Sequence, residues 1–213
     1  MFDNFNVIDT IPDQVLFDIR NSIIGDEATY TRDIEMYIPE LERVKKEIRA
    51  GSFLDIGCGR GEILQVFKRL LPQKKNYGID ELRLYVKICQ SKKLPVMWMN
   101  PVEKLGYVQG SFKAITCIHQ LQYMYVGFIY TFLRLARMRL RRGGILILQI
   151  PNSENVSEVT KWKNDPRYIN AYSAFLIEYI LRYVGFFAVE VQPHEDGKNI
   201  TIIATRKPYP QPI

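Results

Sequence analysis

The chain has 213 residues, of which 47% are hydrophobic and 24% are charged, and its net charge is +6. Such a composition is typical of one globular domain and excludes low-complexity, collagen-like and disulfide-rich chains. Three cysteines, no C-x-x-C pair and two histidines argue against a disulfide framework and against structural zinc. We therefore expect no metal site and a reduced, cytoplasmic setting.

The N-terminus lacks the basic region and apolar run of a signal peptide. The most apolar region, residues 174–191, is interrupted by Glu178, Arg182 and Glu190, so we expect no membrane span. The positive charge leaves room for an acidic partner, such as nucleic acid, anionic lipid or a phosphorylated glycan, and hence for peripheral membrane association. Much of the excess lies in the arginines of residues 134–142, which also suit a solvated helix end.

Two helices are predicted in the first fifty residues, over 13–22 and 31–50. The second has apolar side chains at helical spacing and ends at Gly51. Its apolar positions are Ile34, Tyr37, Ile38, Leu41, Val44 and Ile48. Residues 1–50 are interpreted as a helical extension of the same domain, which forms either a lid over the site or the surface of a homodimer.

Strands and helices alternate from residue 51 onward, which predicts a parallel, doubly wound α/β sheet with helices on both faces. The predicted strands are 52–56, 76–79, 95–99, 112–118, 144–150, 186–191 and 199–205. The predicted helices between them are 61–71, 82–90, 126–140 and 171–183. The last two strands form a hairpin with Asp196 and Gly197 in its turn, so the sheet closes with an antiparallel strand. Residues 51–207 form this core, and residues 208–213 form an exposed tail.

A glycine-rich turn follows the first predicted strand, with glycines at positions 57, 59 and 61. Glycine in such a turn lets the backbone approach a bound nucleotide where a side chain would clash. The dinucleotide fingerprint places its third glycine one position later, where this chain has Glu62. The spacing therefore departs from that of dinucleotide-binding domains.

An aspartate, Asp80, ends the second predicted strand about twenty residues after the glycines. A carboxylate at this position can accept hydrogen bonds from both ribose hydroxyls of a nucleoside. The alternative is that Asp80 caps the next helix at its N-terminus, and the two roles are compatible. The glycine turn and Asp80 together predict a nucleoside site at the carboxyl ends of the first two strands.

Three segments carry a resemblance to the class I S-adenosylmethionine (SAM)-dependent methyltransferases, over about residues 30–207. They are Leu54-Asp55-Ile56-Gly57-Cys58-Gly59-Arg60-Gly61-Glu62, Leu140-x-x-Gly143-Gly144-Ile145-Leu146-Ile147-Leu148 and Ile150-Pro151-Asn152-Ser153-Glu154-Asn155. The last two also resemble the L-x-P-G-G-x-L-x-L and T-P-N-P-E-N patterns of methyltransferase domains from bacterial O-antigen and other surface-glycan biosynthesis. The resemblance implies a Rossmann-like fold of seven mostly parallel strands with a C-terminal antiparallel hairpin. It also implies SAM as the cofactor and S-adenosylhomocysteine (SAH) as the product.

The same resemblance implies which residues contact the cofactor. Class I methyltransferases favour an acidic residue at the start of the glycine motif, as Asp55 is here. Many place an aspartate against the adenine amino group where this chain has Asn100, and Val102 would pack on the adenine ring. The predicted cofactor contacts are Asp55, Gly57, Cys58, Gly59, Gly61, Asp80, Glu81, Leu82, Asn100, Pro101, Val102, Ile118 and His119.

The methyl acceptor is expected beside the turns that follow the fourth, fifth and sixth strands, because ligands of a doubly wound sheet lie at its carboxyl edge. Methyl transfer depends on holding the acceptor close and aligned, and a hydroxyl acceptor also benefits from a base. We predict His119 and Tyr123 as catalytic residues, with His119 as the base. The alternative for His119 is a hydrogen-bonded residue that frames the cofactor, and the alternative for His194 is a plain turn residue. The predicted acceptor contacts are Asn152, Glu154, Asn155, Arg167, Tyr168 and His194.

Two departures from the surface-glycan group concern the acceptor. The group often has Glu-His where this chain has Gln122-Tyr123, and Asp-Pro-Thr-His where it has Asp165-Pro166-Arg167-Tyr168. Each change replaces a histidine by a tyrosine, whose pKa of about 10 makes it a poor base at neutral pH. The reaction then uses another acceptor, depends on proximity alone, or is weakened or lost.

Three functions follow from these patterns. The leading hypothesis is O-methylation of a glycan, sugar or other small molecule in surface-polysaccharide biosynthesis. The alternatives are N-methylation of an amino sugar or amine, which brings its own lone pair, and a degenerate fold that binds cofactor or partner without turnover. Methylation of nucleic acid is disfavoured, because no Asp/Asn-Pro-Pro-Tyr motif follows the fourth strand.

Overall fold

The computed structural model describes residues 11–208 except 26, 49, 75, 101–104 and 109. In this part of the chain, seven strands form one sheet in the order β3-β2-β1-β4-β5-β7-β6. The strands are β1 (Ser52–Ile56), β2 (Tyr77–Asp80), β3 (Val96–Trp98), β4 (Phe112–Ile118), β5 (Leu140–Pro151), β6 (Ala188–Pro193) and β7 (Asn199–Thr205). Strands β1 to β5 pair in parallel, whereas β7 pairs antiparallel with both β5 and β6. The predicted mostly parallel sheet with a closing antiparallel hairpin is confirmed.

Helices cover both faces of this sheet. They are α1 (Asp13–Ile24), α2 (Glu27–Glu35), α3 (Ile38–Glu47), α4 (Glu62–Leu70), α5 (Arg83–Ser91), α6 (Val126–Arg139), α7 (Val156–Trp162) and α8 (Ala174–Tyr183). Successive side chains of a strand point to opposite faces. Leu54 therefore packs in the core beneath α6 and α8, whereas its neighbour Phe53 packs in the core beneath α3 and α4. Burial on both faces explains why the parallel strands are continuous apolar runs in the sequence.

The single helix predicted over residues 31–50 is wrong, because two helices, α2 and α3, occupy this region. Pro39 lies in the first turn of α3, where its missing N–H removes no hydrogen bond. Inside one continuous helix it would remove a hydrogen bond and clash with the preceding turn. The predicted apolar face is nevertheless buried, at Ile34, Tyr37, Leu41 and Val44.

One helix escaped sequence prediction and lies after β5. Helix α7 is capped at its N-terminus by Asn155, whose side-chain oxygen accepts a hydrogen bond from the backbone N–H of Glu158 at 3.1 Å. Its seven residues are too few for a helical period to be read from the sequence. Strand β5 is also longer than predicted, since Leu140 already pairs with Phe112 ahead of an irregularity in the ladder.

The N-terminal helices pack against the core and help to form the site. Helix α1 packs on α5, and α2 and α3 pack on α4. The strand order reverses between β1 and β4, which is where a doubly wound sheet opens a crevice for ligands at its carboxyl edge. Arg20 and Ile24 of α1 reach this crevice.

Candidate active site

The glycine turn between β1 and α4 is fastened to the neighbouring strand. The backbone N–H groups of Gly57 and Cys58 both donate to the carbonyl of Ile79 in β2, at 2.8 and 3.0 Å. Gly59 has a φ of 52°, in the left-handed region that favours glycine. The turn therefore has a defined shape before any ligand binds.

The three glycines of this turn serve different purposes. A Cβ at Gly57 would lie 2.0 Å from Cδ of Gln120, and a Cβ at Gly61 would lie 2.5 Å from Cδ1 of Leu94. A Cβ at Gly59 would meet no atom within 4 Å. Gly57 and Gly61 thus permit close packing of the protein, whereas Gly59 faces open space.

Asp80 connects the glycine turn to the beginning of α5. Its side chain is 5% exposed, and its two oxygens accept hydrogen bonds from the backbone N–H groups of Gly59 and Leu82, both at 2.9 Å. The N-cap of α5 is Leu82, so the helix-cap interpretation of Asp80 is wrong. Burial raises the pKa of the Asp80 carboxyl to about 6 despite these two bonds.

A second carboxyl group, that of Asp55, is buried at the end of β1. Its side chain is 2% exposed and accepts a hydrogen bond from the Thr116 hydroxyl at 2.6 Å. Burial raises the pKa of Asp55 to about 7, with smaller contributions of the same sign from the Glu62 and Asp80 carboxylates. Two buried carboxyl groups with raised pKa values therefore share one cleft, and such perturbed groups are typical of functional sites.

The cleft gathers most of the predicted cofactor contacts. Those that line it are Asp55, Gly57, Cys58, Gly59, Asp80, Glu81, Leu82 and Ile118. Gly61 lies behind the turn as the N-cap of α4, and Asn100 lines a neighbouring groove instead. Pro101 and Val102 lie outside the described residues.

Sequence reasoning missed Arg20, which lines the same cleft from α1. The side chain is 7% exposed, and its guanidinium donates to the carbonyl of His119 at 2.9 Å and to the Tyr123 hydroxyl. Leu16, Arg20 and Ile23 are the buried residues of α1, at spacings of four and three. An arginine inside the apolar stripe of a helix is the signal that could have identified it.

His119 lies next to the cleft without lining it. Its ring is 4.8 Å from the Trp162 ring, and its Nε2 is 3.1 Å from Nε2 of Gln149. The amide nitrogen of Gln149 donates to Nε2 of His119, because the amide oxygen already accepts from the Tyr37 hydroxyl. Burial, followed by the Arg20 charge, holds the pKa of His119 well below its usual range. The imidazole is therefore neutral, and its accepting nitrogen is already engaged.

Tyr123 belongs to a buried network of charges above the cleft. Its hydroxyl donates to Oδ2 of Asp165 at 2.9 Å, and Arg167 makes a bidentate pair with the same carboxylate at 3.0 and 2.8 Å. The Arg20 and Arg167 guanidinium groups lie 4.9 and 5.1 Å from the centre of the Tyr123 ring. Burial raises the pKa of Tyr123 well above its ordinary value, so the phenol stays neutral and is no base.

The Asp165–Arg167 pair also determines the charge of this network. Burial alone would raise the pKa of Asp165, but the Arg167 guanidinium holds it below its usual range. Arg167 further approaches Glu81, at 3.8 Å. With Asp165 ionised, the Tyr123 hydroxyl donates to this carboxylate and accepts from Arg20.

A wider groove adjoins the cleft and shares Glu81, Leu82 and Arg167 with it. Five of the described residues that line it are aromatic, and three of these are more than half exposed. The aromatic residues are Trp98, Tyr123, Tyr125, Phe128 and Tyr168, and Asn100 also lines the groove. Exposed rings next to a few polar groups are typical of a small-molecule site.

The other predicted acceptor residues lie in neither the cleft nor the groove. The side-chain amides of Asn152 and Asn155 both donate to the carbonyl of Gly197, at 2.9 and 3.2 Å. His194 Nε2 lies 2.9 Å from the Thr201 hydroxyl, and Glu154 is exposed. Asn152 and Asn155 thus fasten the segment after β5 to the β6–β7 turn, whereas the His194 ring contacts β7 within the hairpin. The described residues include no group of three or more His, Cys, Asp or Glu side chains suited to a metal ion.

One comparison with known proteins identifies a family. A family model described as "Methyltransferase domain" matches residues 30–191. A search of curated proteins gave no match.

Solved structures of similar fold include three that are named for methyl transfer. A SAM-dependent methyltransferase from Archaeoglobus fulgidus has a TM-score of 0.77 at 18% identity, covering 89% of this chain and 99% of its own. Magnesium protoporphyrin IX methyltransferase from Synechocystis PCC 6803, with bound SAH, has a TM-score of 0.69 at 16% identity, covering 95% and 99%. An O-methyltransferase family protein from Burkholderia thailandensis has a TM-score of 0.67 at 16% identity, and the match spans 84% of this chain and 58% of that one. At these identities the likeness shows a shared fold.

Proposed function

The chain belongs to the methyltransferase-domain family, and from this premise we propose that it transfers the methyl group of SAM to a hydroxyl group of a sugar, glycan or other small molecule. The observation that carries the proposal is the junction of the cleft with the groove. The cleft contains Asp80, a carboxylate placed to accept hydrogen bonds from ribose hydroxyls, and the groove has an open aromatic wall. The two cavities meet at Glu81, Leu82 and Arg167, so a nucleoside in the cleft and an acceptor in the groove lie next to each other.

The residues of the cleft fit SAM. Each oxygen of a carboxylate has two lone pairs, so Asp80 can accept ribose hydroxyls in addition to its two backbone donors. Gly59 borders open space that a side chain would fill, and Leu82 offers an apolar surface for the adenine. When bound, SAM supplies a methyl group on a sulfonium, which is an activated leaving group. The protein has then to hold the ligand and to exclude side reactions.

We assign the amino-acid part of SAM to Arg20 and Asp55. The Arg20 guanidinium is fixed by two hydrogen bonds and retains donors for a carboxylate. The buried Asp55 carboxyl, whose pKa is raised to about 7 by burial, becomes ionised more readily beside an ammonium or sulfonium. Arg20 and Asp55 thus complement the two charges of the amino-acid group.

A substitution at Arg20 separates this role from a structural one. Arg20→Ala is expected to weaken SAH binding by about tenfold or more, because a charge-assisted hydrogen bond is lost. Binding of 5′-methylthioadenosine, which lacks the amino-acid part, is expected to be unchanged, and Arg20→Lys should restore part of the SAH affinity. Calorimetric titration of both ligands measures this. Equal losses for SAH and 5′-methylthioadenosine would assign Arg20 to the fold alone.

The groove is proposed to bind the acceptor. Tyr125 and Phe128 offer exposed ring faces to a sugar or another ring, and Arg167 and Asn100 offer polar groups at its edge. His119 and Tyr123 are poorly suited as bases, for the reasons of burial and hydrogen bonding given above. Catalysis is therefore attributed to alignment of the acceptor, with its proton passing to water. The surface-glycan acceptor suggested by the sequence patterns remains part of this proposal.

One observation favours a second candidate, N-methylation of an amino sugar or amine. Among the described residues of the groove, the carboxylates are Asp13 and Glu81, and no histidine lines it. A neutral amine needs no base before it attacks the methyl group. The two candidates differ only in the acceptor, so they share the cofactor site.

The test of the proposed function is incubation with methyl-labelled SAM and matched acceptors, namely a nucleotide sugar, its amino-sugar counterpart and a lipid-linked glycan. Label on a hydroxyl of the neutral sugar or glycan supports the proposal. Label only on the amine supports the second candidate instead. If SAH binds but no acceptor is labelled, the chain is a binding protein without turnover, and both candidate functions are overturned.

A further inference from the structure

One side of the molecule presents an exposed aromatic surface that the reaction does not use. It consists of Tyr130 on α6, Phe175, Tyr179 and Tyr183 on α8, and Phe187 beyond it, which we call the aromatic face. Phe175 is 77% exposed, Tyr183 73%, and Tyr179 and Phe187 62% each. A contiguous exposed apolar patch marks an interaction site more often than a random surface does.

The spacing shows that α8 has two apolar sides. Ile177 and Leu181 face the sheet and are fully buried. Phe175, Tyr179 and Tyr183 recur every four residues on the outer side, which a solvated helix would fill with charged residues. The rings of Tyr130 and Tyr183 lie 6.1 Å apart, so the stripe continues onto α6.

The charges around this face are mainly positive. Helix α6 has no acidic residue and contributes Arg134 and Arg137 to this side, whereas the Arg139 guanidinium donates to the carbonyl of Gly106. Arg134 is exposed beside the aromatic stripe. On α8 the exposed Arg182 is paired with Glu178 at 2.7 Å, which leaves α6 as the source of excess charge.

The aromatic face is continuous with the groove. Helix α6 begins at Val126, and its first turn carries Phe128, which lines the groove next to Tyr125. The hydroxyl of Tyr172, just before α8, donates to the carbonyl of Met124 at 2.7 Å. Both helices thus begin at the edge of the groove, and their outer surfaces lead away from it.

We propose that the aromatic face docks this protein on the surface of an anionic lipid bilayer. Tyrosine and phenylalanine rings suit the interface between acyl chains and headgroups, and arginines beside them attract anionic headgroups. None of the described helices is long and apolar enough to cross a bilayer, so the contact is peripheral. The proposal is independent of the acceptor, although it places the groove next to the membrane surface.

The test is sedimentation of the full chain with vesicles of phosphatidylcholine alone or mixed with phosphatidylglycerol. The wild type is expected to bind the anionic vesicles and to be released by salt. Two variants are each expected to bind these vesicles at least about tenfold more weakly than the wild type. They are the triple variant Tyr179→Ser/Tyr183→Ser/Phe187→Ser and the single variant Arg134→Glu. Matched controls, Met36→Ser for exposed apolar surface and Lys46→Glu for charge, lie on the opposite layer and should bind like the wild type.

The outcomes distinguish this proposal from others. SAH binding by the variants should equal that of the wild type, which shows that they are folded and that the cofactor site is separate. Absence of wild-type binding to anionic vesicles would overturn the proposal, as would equal binding by the triple variant. A wild-type dimer in sedimentation that the triple variant abolishes would assign the face to a second copy instead.

Discussion

Replacing Asp80 by alanine is expected to weaken SAH binding by about 100-fold, or about 3 kcal/mol. The carboxylate is proposed to accept the ribose hydroxyls, and each hydrogen bond to a charged group contributes about 1.5–3 kcal/mol. It also holds the N–H groups of Gly59 and Leu82, so its loss loosens the glycine turn that faces the ligand. Calorimetric titration of wild type and variant with SAH measures the effect.

Asp196→Ala is the matched control for this substitution. Asp196 accepts a hydrogen bond from the backbone N–H of Lys198, two residues on, at 2.9 Å, as Asp80 does from Leu82. It is exposed in the β6–β7 turn and lines neither cavity. Its alanine variant should bind SAH like the wild type. Equal SAH affinity in Asp80→Ala and the wild type would remove Asp80 from the cofactor site.

Asp55→Asn is expected to stabilise the cofactor-free protein at pH 8 by about 2–4 kcal/mol. The pKa of Asp55 is about 7 in the folded protein, raised by burial, against about 4 in an unfolded chain. Between about pH 4 and pH 7 this carboxyl is ionised in the unfolded chain but protonated in the folded one. The free energy of unfolding therefore falls as the pH rises through this range, and the stability present below pH 4 is lost above pH 7. Asparagine removes this cost and still accepts the hydrogen bond of the Thr116 hydroxyl.

Urea unfolding at pH 5, 6, 7 and 8 measures this dependence. The wild-type free energy of unfolding should fall with rising pH more steeply than that of Asp55→Asn. The variant should also bind SAM more weakly, since it lacks the negative charge opposite the amino-acid group. A residue that serves ligand binding in this way lowers the stability of the cofactor-free protein. Parallel pH profiles for the two proteins would show that Asp55 does not carry the effect. Asp196→Asn, at an exposed carboxylate, serves as the control.

The features that could be predicted from sequence are those determined by local pattern. The strand and helix periods indicated the sheet, and the glycine turn with Asp80 indicated the cleft, because both lie within one β-α-β unit. The helix break at Pro39 was missed because the apolar period continues through it. Pattern alone does not show that Pro39 begins a new helix.

The features that could not be predicted depend on contacts between distant segments. Arg20 reaches the cleft only because α1 packs on α5, far along the chain. The surroundings of His119 depend on Gln149 and Trp162, which convert a candidate base into a buried, neutral ring. Asn152 and Asn155 likewise found their partner in Gly197, across the β6–β7 turn.

A crystal structure of the chain with SAH tests the central claim most directly. The account predicts the ribose hydroxyls within hydrogen-bonding distance of the Asp80 carboxylate and the amino-acid carboxylate on Arg20. It also predicts the adenine against Leu82 and the sulfur within the cleft, nearer to Asp55. SAH bound elsewhere, or bound without contact to Asp80, would contradict the account.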